Sequence, residues 1–459
     1  MILQLYTLVF SLLLLLLSPI LLPLALLWPR ARKGLLQRFG ILPRQIRELM
    51  YVGEASLWIH AASLGEVNAI APAVQILLER LTGIPVIFSC TTMAGVEQAR
   101  RLFPEANAHV LMPIDLPVFL NPLLRRYKPR FAILAETELW PNFIHALKQR
   151  RSQILLLNGR MTERSLKRYL RFKALFAPAL LSFDSMAIQS DEDAQRFIEL
   201  GAKPSRVVVT GNTKFDLDGA AKLARKKGEK LREELGLKAG QALIVAGSTR
   251  PGEEELLLKA FKALKNRHKE LKLLLAPRHL ERLAEVENLI KDSGLEYTRR
   301  SRGGEPGEII LLDSLGELSA AYSFATLAWI GGSWQPFGGQ NPLEASAQGV
   351  PVVFGPDMKH FKEPARILLE AGAAFQVPME ELAKASAALL QDAAKRQAMG
   401  EAGKAALKRS AGASQRSADL AWKLAVLARL RVSERDWRHQ SAFASLKVAE
   451  FGSTVHAEP

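Results

Sequence analysis

Three acidic side chains follow short apolar runs that have the length of buried strands. Glu66 lies in the segment SLGE directly after the run 57–62, and Glu136 and Glu138 come directly after the run 131–135. Ligands of parallel sheets bind beyond the carboxyl ends of the strands, so these carboxylates are expected to face a crevice. Glu66 also fits a simpler interpretation, because an acid in the first turn of a helix complements the helix dipole.

Basic side chains follow two other predicted strands. Lys214 stands just after the run 207–211, and Arg278 follows the run 271–277. An arginine at a strand end can form paired hydrogen bonds to phosphate oxygens. Lys214 has two interpretations, a phosphate contact or an ordinary surface lysine. Together these residues indicate an anionic ligand.

A glycine-rich unit, 324–355, contains two apolar runs of strand length with a loop and a helical segment between them. The pattern predicts a helix that begins with Asn341 as N-cap and Pro342 as the first helical residue. Glu344 stands three residues after Asn341, as in a capping box. The free N–H groups at such a helix start can bind an anion. An ordinary β-loop-α-β unit of a doubly wound sheet would show the same pattern.

Apolar runs of strand length alternate with helical patterns along most of the chain. Such repeats are typical of a parallel sheet with helices on both faces. The sequence therefore predicts an α/β protein with two doubly wound, Rossmann-like domains that face a cleft, a natural place for a substrate. The predicted segments are an anchor at 1–28, a first domain at 29–217, a charged helical connection at 218–238, a second domain at 239–430 and a loosely ordered tail at 431–459.

Residues 1–28 contain no charged side chain and are long enough to cross a bilayer, which needs about 20 apolar residues. A cleaved signal peptide is the alternative, but the segment has no basic start and no clear cleavage site. Pro19 and Pro23 favour an inserted anchor over one straight span. The positive-inside rule places the rest of the chain in the cytoplasm, because basic residues follow the anchor: Arg30, Arg32, Lys33 and Arg38.

The chain is basic, with 62 Lys and Arg against 46 Asp and Glu and a net charge of +16. This charge favours an acidic partner such as an anionic lipid or a phosphorylated substrate. Nucleic acid is disfavoured because no zinc-finger, RNP or bZIP pattern occurs. The single cysteine, Cys90, excludes an intrachain disulfide.

Sequence motifs for metals and nucleotides are mostly missing. The sequence contains no G-x-x-x-x-G-K-[ST] loop, no G-x-G-x-x-G after the first strand and no H-E-x-x-H pair. Asp216 and Asp218 form a D-x-D, a pattern that some metal-dependent sugar transferases use, but it is short and stands at the start of the charged connection. No metal site or cofactor is therefore predicted.

Six segments carry a family resemblance, and in chain order they are HAASLGE (60–66), AETELWPN (135–142), NTKFD (212–216), PRH (277–279), LGEL (315–318) and GGQNPLEA (338–345). Together they resemble the Kdo transferases of lipopolysaccharide assembly. Those enzymes move 3-deoxy-D-manno-oct-2-ulosonic acid (Kdo) from its CMP derivative, CMP-Kdo, to the lipid A precursor. The resemblance covers residues 1–430 and implies the GT-B type of fold.

The resemblance also implies a role for each matched residue. Glu66 would be the general base that takes the proton from the acceptor hydroxyl. Glu136, Glu138 and Lys214 would support the transition state. The first domain would bind the acceptor and the second the nucleotide sugar, with CMP held by Pro277, Arg278, Leu315, Gly316, Glu317, Asn341, Pro342, Leu343 and Glu344. Asn212 and Thr213, before Lys214, stand where the family often has Ser-Leu.

The resemblance predicts an inverting, metal-independent transfer of Kdo from CMP-Kdo to the lipid A precursor (lipid IVA). The expected location is the cell inner membrane, with the domains on the cytoplasmic face and against its anionic surface. Two alternatives stay open. One is another membrane-associated GT-B enzyme with a nucleotide-diphosphate donor, and the other is a membrane-anchored binding module without catalysis.

Overall fold

The computed structural model describes residues 1–27, 32, 34–44, 46, 55–81 and 83–430. They form two compact units. The first unit runs to Lys214 and includes the end of the described chain from Ala411 onward, and the second is Phe215–Ser410. The predicted tail at 431–459, the anchor residue Trp28 and the basic residues Arg30 and Lys33 lie outside the described residues.

Each unit contains one sheet in which every described strand pair is parallel. In the first unit the strands are β1 Ser56–Ala61, β2 Val86–Cys90, β3 Ala108–Leu111, β4 Pro129–Ala135, β5 Gln153–Gly159, β6 Ser185–Ile188 and β7 Val207–Val209. In the second unit they are β8 Leu243–Thr249, β9 Lys272–Pro277, β10 Tyr297–Arg299, β11 Ile309–Leu311, β12 Leu327–Ile330, β13 Val352–Phe354 and β14 Ala374–Gln376.

Helices connect the strands and flank each sheet. They are α1 Ile2–Leu27, α2 Leu35–Arg38, α3 Leu64–Arg80, α4 Met93–Leu102, α5 Pro117–Tyr127, α6 Pro141–Gln149, α7 Glu163–Leu170, α8 Lys173–Leu180, α9 Asp191–Leu200, α10 Asp218–Glu234, α11 Glu254–Lys265, α12 Leu283–Asp292, α13 Leu318–Tyr322, α14 Leu343–Ala347, α15 Lys362–Glu370, α16 Met379–Gln391, α17 Ala393–Ser410 and α18 Ala413–Leu427. Among the described residues, α1 alone is long and apolar enough to cross a membrane.

The strand order reverses direction near the middle of each sheet. In the first unit the order is β3-β2-β1-β4-β5-β6-β7, and in the second it is β10-β11-β9-β8-β12-β13-β14. The loops that leave two neighbouring strands in opposite directions open a crevice at such a switch point, and ligands of doubly wound sheets bind there. The switch points lie between β1 and β4 in the first unit and beside β8 in the second.

The strands are apolar because both faces of each sheet are covered. In the first unit one core cluster contains Trp58 and Phe143 and the other contains Ile59 and Phe88. The two clusters alternate along β1, so successive side chains enter opposite layers. Each predicted apolar run therefore became a strand. The one strand absent from the prediction is β10, a half-buried edge strand whose sequence, Tyr-Thr-Arg, has no apolar run.

The observed units differ from the predicted domain boundaries at two helices. The predicted connection at 218–238 forms α10, which packs against α13 in the second unit and contributes Leu231 to its core. Helix α18, predicted in the second domain, packs against α3 in the first unit. Buried Ala421 and Ala425 explain this placement, because small side chains let α18 lie close to the apolar face of α3.

Candidate active site

The predicted acids of the first unit lie at its switch point. Glu66 follows β1 in the first turn of α3, and Glu136 and Glu138 follow β4, the strand paired with β1. Lys214 reaches the same group from the loop after β7, where its Nζ lies 3.0 Å from Glu136 Oε1. The structure thus brings together all four residues predicted to act in the transfer.

Glu66 is part of the cap of α3. Ser63 is the N-cap residue, and its hydroxyl accepts a hydrogen bond of 3.4 Å from the Glu66 N–H. The Glu66 Oε2 atom accepts a bond of 2.7 Å from the Ala62 N–H. This reciprocal arrangement is close to a capping box. Glu66 is therefore an acid at a helix start, as in the simpler interpretation, and these cap bonds also fix the position of its carboxylate.

The surroundings of Glu66 bring its titration close to neutrality. Burial is the main cause, and the negative charge of Glu138 adds to it, so the pKa of Glu66 rises to about 7. The hydrogen bond from Ala62 and the positive charge of Lys214 act in the opposite direction. A carboxylate with a pKa near the working pH is well suited to general-base catalysis, since it can both take up and release a proton.

Glu136 has an unusual backbone conformation, with φ of 45°. Such a left-handed conformation is uncommon outside glycine and occurs more often at functional sites. It turns the chain sharply at the end of β4. The side chain then lies where Lys214 can pair with it, and both partners are mostly buried.

The loop that carries Lys214 is fixed by its two preceding residues. The Asn212 side-chain oxygen accepts a bond of 3.0 Å from the Lys214 N–H. The Thr213 hydroxyl donates to the carbonyl of Ala69 in α3, and its N–H donates to Asn158 Oδ1 at 3.1 Å. Thr213 therefore ties this loop to the helix that carries Glu66, and Asn212 fixes the backbone of Lys214.

Glu138 is held by two aromatic side chains, Trp140 and His60. Its Oε2 atom accepts a bond of 2.8 Å from Trp140 Nε1 and lies 3.2 Å from His60 Nε2. His60 is fully buried on β1, and its Nδ1 lies 2.9 Å from the Ser89 hydroxyl. His60 was not predicted as a site residue. Its position as the only polar side chain inside the apolar run 57–62 was the signal that could have identified it.

In the second unit, Arg278 and Glu344 lie on opposite sides of β8, near enough for the charge of Arg278 to act on Glu344. Arg278 follows β9 and is exposed, and its N–H bonds to the carbonyl of Thr249 on β8 at 3.0 Å. Glu344 lies in α14, after β12 on the other side of β8. Burial raises the pKa of Glu344, while a hydrogen bond from Asn341 and the charge of Arg278 partly offset this rise.

The start of α14 lies within one residue of the prediction. Helix α14 begins at Leu343, and Pro342 before it already has helical dihedral angles, with φ of −84° and ψ of −13°. The Asn341 side chain accepts from the Leu343 N–H at 3.1 Å and donates to Glu344 Oε1 at 3.3 Å. Asn341 therefore caps this turn as predicted, because a capping side chain accepts from the N–H two residues on. Leu343 is buried and anchors this turn.

The predicted residues Leu315, Gly316 and Glu317 lie between β11 and α13. Leu315 is 74% exposed, and Gly316 has a φ of 85°, which favours glycine. The Glu317 carboxylate accepts bonds of 3.2 Å and 3.1 Å from Arg300, together with one from the Ser314 hydroxyl. A ligand hydroxyl would have to share this carboxylate with Arg300. Pro277, the last residue of β9, is buried and places Arg278 at the sheet edge.

The structure adds Arg250 to the candidate site of the second unit. It follows β8, its guanidinium lies 5.3 Å from the ring centre of Phe337, and its Nη1 lies 2.6 Å from His279 Nε2. Among the described residues its buried Nε has no hydrogen-bond partner. A buried donor of this kind usually has a partner, so a ligand acceptor would fit beside it.

Glu253 was also not predicted, and it holds the loops around Arg250. This fully buried carboxylate accepts from the N–H groups of Arg250 at 2.9 Å, Gly332 at 2.6 Å and Trp334 at 3.0 Å. Burial raises its pKa, and the three hydrogen bonds counteract this rise. Glu253 therefore joins the loop after β8 to the glycine-rich loop after β12.

Replacing Glu253 by alanine is expected to destabilise the protein. Three backbone donors would lose their acceptor, and such losses cost about 1–3 kcal/mol each before water relieves part of the cost. We expect the free energy of unfolding to fall by about 2–4 kcal/mol. Urea denaturation checks this, with Glu255→Ala as the matched control, because Glu255 is exposed on the same helix. Equal midpoints for the two variants would contradict the role given to Glu253.

The carboxylates of the first unit do not form a recognisable metal site. Within the part of the chain that the structure describes, no three His, Cys, Asp or Glu side chains are grouped so that they could hold a metal ion. The positive group that the structure places among the acids is Lys214. The site thus combines a titratable carboxylate, an ion pair and a second, histidine-bound carboxylate.

Known proteins resemble this chain over most of its length. A family model described as 3-Deoxy-D-manno-octulosonic-acid transferase (kdotransferase) matches residues 33–217. The 3-deoxy-D-manno-octulosonic acid transferase of Haemophilus influenzae is 35% identical over 403 residues, which cover 85% of this chain and 91% of that protein. The protein of the same name from Bordetella pertussis is 36% identical over 378 residues, which cover 80% of this chain and 86% of that protein.

Among solved structures, the fold is similar to that of UDP-GlcNAc 2-epimerase from Neisseria meningitidis. That likeness covers 78% of this chain and 98% of the epimerase, with a TM-score of 0.56 and 15% sequence identity. At this identity it shows the fold alone, which is of the GT-B type. The relatives from Haemophilus and Bordetella show the family as well as the fold, since each matches most of the chain at more than a third identity. The chain therefore belongs to the 3-deoxy-D-manno-octulosonic acid transferase family, whose members are glycosyltransferases.

Proposed function

We propose that this protein transfers Kdo from CMP-Kdo to a hydroxyl of the lipid A precursor, with inversion at the anomeric carbon. The observation that carries the proposal is the carboxylate of Glu66, whose pKa of about 7 is set by burial beside Glu138. A chain of this family with a proton acceptor of that kind has the group that a direct displacement requires.

In the proposed reaction, the oxygen of the acceptor hydroxyl attacks the anomeric carbon of Kdo, and Glu66 takes the proton of that hydroxyl. The bond from that carbon to the phosphate oxygen of CMP breaks, and CMP leaves with the electron pair. A single displacement from the opposite face inverts the anomeric centre. Lys214, paired with Glu136 at 3.0 Å, supplies positive charge near the reacting groups.

The second unit would hold the leaving nucleotide. Arg278 at the end of β9 and Arg250 at the end of β8 offer guanidinium groups to the phosphate of CMP. Asn341 and Glu344 at the start of α14 would bind the remaining polar groups of the nucleotide, with Leu315 and Gly316 beside them. Because cationic side chains can neutralise the departing phosphate, the proposal requires no metal ion.

We place the reaction at the cytoplasmic face of the inner membrane. The support is the uncharged helix α1, with basic residues following it in the sequence, because the anionic lipids of the cytoplasmic leaflet attract basic segments. Five exposed basic side chains that follow β5 would face the acceptor's phosphates or the anionic lipid surface, and they are Arg160, Arg164, Lys167, Arg168 and Arg171.

The proposal is tested by a turnover assay with CMP-Kdo and the lipid A precursor. Product formation with release of CMP is expected, and the anomeric configuration of the product reports inversion. A thermal-shift comparison of CMP, UDP and GDP separates the donor classes. Stabilisation by UDP or GDP but not by CMP would indicate a different nucleotide donor and would overturn the proposal.

Arg278→Ala is expected to weaken CMP binding by about ten- to a hundredfold, because a charge-assisted contact to phosphate contributes roughly 1.5–3 kcal/mol. Isothermal titration calorimetry with CMP measures the change in Kd. Arg267→Ala is the matched control, since Arg267 is an exposed arginine of the same unit and lies outside the candidate site. Unchanged affinity in Arg278→Ala would remove this arginine from the nucleotide site.

A further inference from the structure

Helix α1 is hydrogen-bonded to the folded first unit near its own beginning. The Tyr6 hydroxyl donates to Asp115 Oδ2 at 3.2 Å. The single proton of the Thr7 hydroxyl is shared between Asn142 Oδ1 at 2.9 Å and the carbonyl of Leu3 at 2.8 Å. Asp115 is fully buried and also accepts from the N–H groups of Asn142 and Phe143, the first turn of α6. The first two turns of α1 are therefore bound to Asp115 and to the N-terminal end of α6.

One face of α1 packs against the unit over more than four turns. Seven half-buried residues of this stretch recur at intervals of three and four, as expected for one side of a helix, and Ala25 follows further along. The seven are Leu3, Tyr6, Thr7, Phe10, Ser11, Leu14 and Ser18. This face contacts α6 and α8. It also carries Tyr6, Thr7, Ser11 and Ser18, the hydroxyl side chains of the helix. The polar stripe of α1 thus faces protein.

The opposite face of α1 is apolar and open. Leu5, Leu12, Leu16 and Ile20 are all more than half exposed, and the 26-residue helix carries no charged side chain. Two further exposed apolar residues, Phe172 and Leu181, flank α8, the helix on which α1 packs. A continuous exposed surface of this composition requires an apolar partner, and the hydrocarbon of a lipid leaflet provides one.

A cavity with a mixed polar and apolar lining lies beside the first turns of α1. Its volume is about 490 Å³, and its polar lining comes from Gln4, Thr7, Ser11, Asn121, Asn142, His145 and Gln149. Amide and imidazole groups in hydrocarbon would lack hydrogen-bond partners, which is costly. The beginning of α1 must therefore lie at a depth where water or lipid headgroups reach it.

These contacts are incompatible with a helix that crosses the bilayer. A perpendicular span of about 20 residues would carry Tyr6 and Thr7 across the hydrocarbon core of about 30 Å, away from the unit that follows the helix. Asp115 and Asn142 belong to that unit, and they bind Tyr6 and Thr7 directly. One folded unit holds both the start of α1 and the chain that follows its end.

We propose that α1 does not span the membrane but lies along one leaflet, with its hydroxyl stripe docked on the first unit and its leucine face in lipid. The beginning of the chain and the folded unit are then on the same side of the membrane. This inference concerns the topology of the protein and does not depend on the reaction proposed above.

Cysteine labelling in sealed vesicles tests the proposal on the full-length protein. Gln4→Cys places a thiol at an exposed position of the first turn, and Glu105→Cys places one on the exposed surface of the first unit. The native Cys90 is fully buried, so we expect no labelling of this residue in either preparation. With a membrane-impermeant maleimide, we expect both variants to be labelled in inside-out vesicles and both to be protected in right-side-out ones. Labelling of the two positions from opposite sides would overturn the proposal.

If position 4 is labelled in neither the inside-out nor the right-side-out vesicles, cross-linking in native membranes tests whether α1 is docked on the first unit. In a Thr7→Cys, Asn142→Cys double variant, a short bifunctional maleimide is expected to join the two positions, because the native side chains are in contact at 2.9 Å. Leu16→Cys with Asn142→Cys is the control pair, since Leu16 lies on the exposed face of α1 and is 73% exposed. Efficient coupling of the first pair over the control supports docking. Equal or absent coupling overturns it.

Discussion

Replacement of Glu66 by glutamine is expected to lower kcat by about 10²–10⁴-fold, because general-base assistance contributes rate factors of that size. Glutamine keeps the side-chain length and one oxygen that can accept from the Ala62 N–H, so the cap of α3 should survive. It cannot take up a proton near neutral pH. The melting temperature and the CMP affinity of the variant should therefore stay close to those of the wild type.

The matched control is Glu79→Gln, because Glu79 is an exposed acid near the other end of the same helix. Its kcat should equal that of the wild type. A first-turn acid that only complements the helix dipole contributes about 0.3–1 kcal/mol to stability and little to catalysis. If Glu66→Gln retains more than about a tenth of the wild-type kcat, the loss is under about 1.4 kcal/mol of barrier, and Glu66 is not the base.

The pH dependence of the wild-type enzyme provides an independent check. Burial beside Glu138 raises the pKa of Glu66 to about 7, and the base acts in its deprotonated form. The value of kcat/KM should therefore rise as the pH increases through about 7 and level off above it. Glu66→Gln should lack this rise. A profile that is flat between pH 5 and 8 would contradict the assignment.

Lys214→Ala is expected to lower kcat by about 10²–10³-fold, the usual cost of removing one positioned group that stabilises developing charge. It has a second, separable effect. The positive charge of Lys214 lowers the pKa of Glu66, so its removal should raise that pKa further. The rising limb of the kcat/KM profile should then move to higher pH.

Lys203→Ala is the control for this variant, since Lys203 is an exposed lysine of the same unit. It should change neither kcat nor the pH profile. Circular dichroism and the melting temperature show whether Lys214→Ala is folded, which matters because Glu136 loses its partner. A folded variant with an unshifted profile would show that Lys214 does not act on Glu66. A folded variant with wild-type kcat would remove Lys214 from the reaction.

The sequence alone was enough to predict the elements and their type. Buried parallel strands are apolar on both faces, so they stand out as short continuous runs between helical patterns. Glu66, Glu136 and Arg278 could be proposed as site residues because each follows such a run, and ligands of parallel sheets bind at the carboxyl ends of the strands. The family followed from six segments whose residue types occur in one order along the chain.

Helix packing required the tertiary structure. Helix α18 belongs to the first unit because its small residues fit against α3, a match between surfaces far apart in the sequence. Strand β10 exists because the edge of the sheet accepts three residues that show no apolar pattern.

The chemistry of the site also depended on contacts that no local pattern encodes. The pKa of Glu66 depends on burial and on Glu138, which lies 72 positions further along the chain. His60 contacts Glu138, and Glu253 accepts from the Gly332 N–H. Each of these partners follows a different strand from the residue that holds it. The sequence therefore determined which residue types stand at the strand ends. Only the tertiary structure decided which of them share one low-dielectric environment, because burial and charge proximity arise when distant segments pack together.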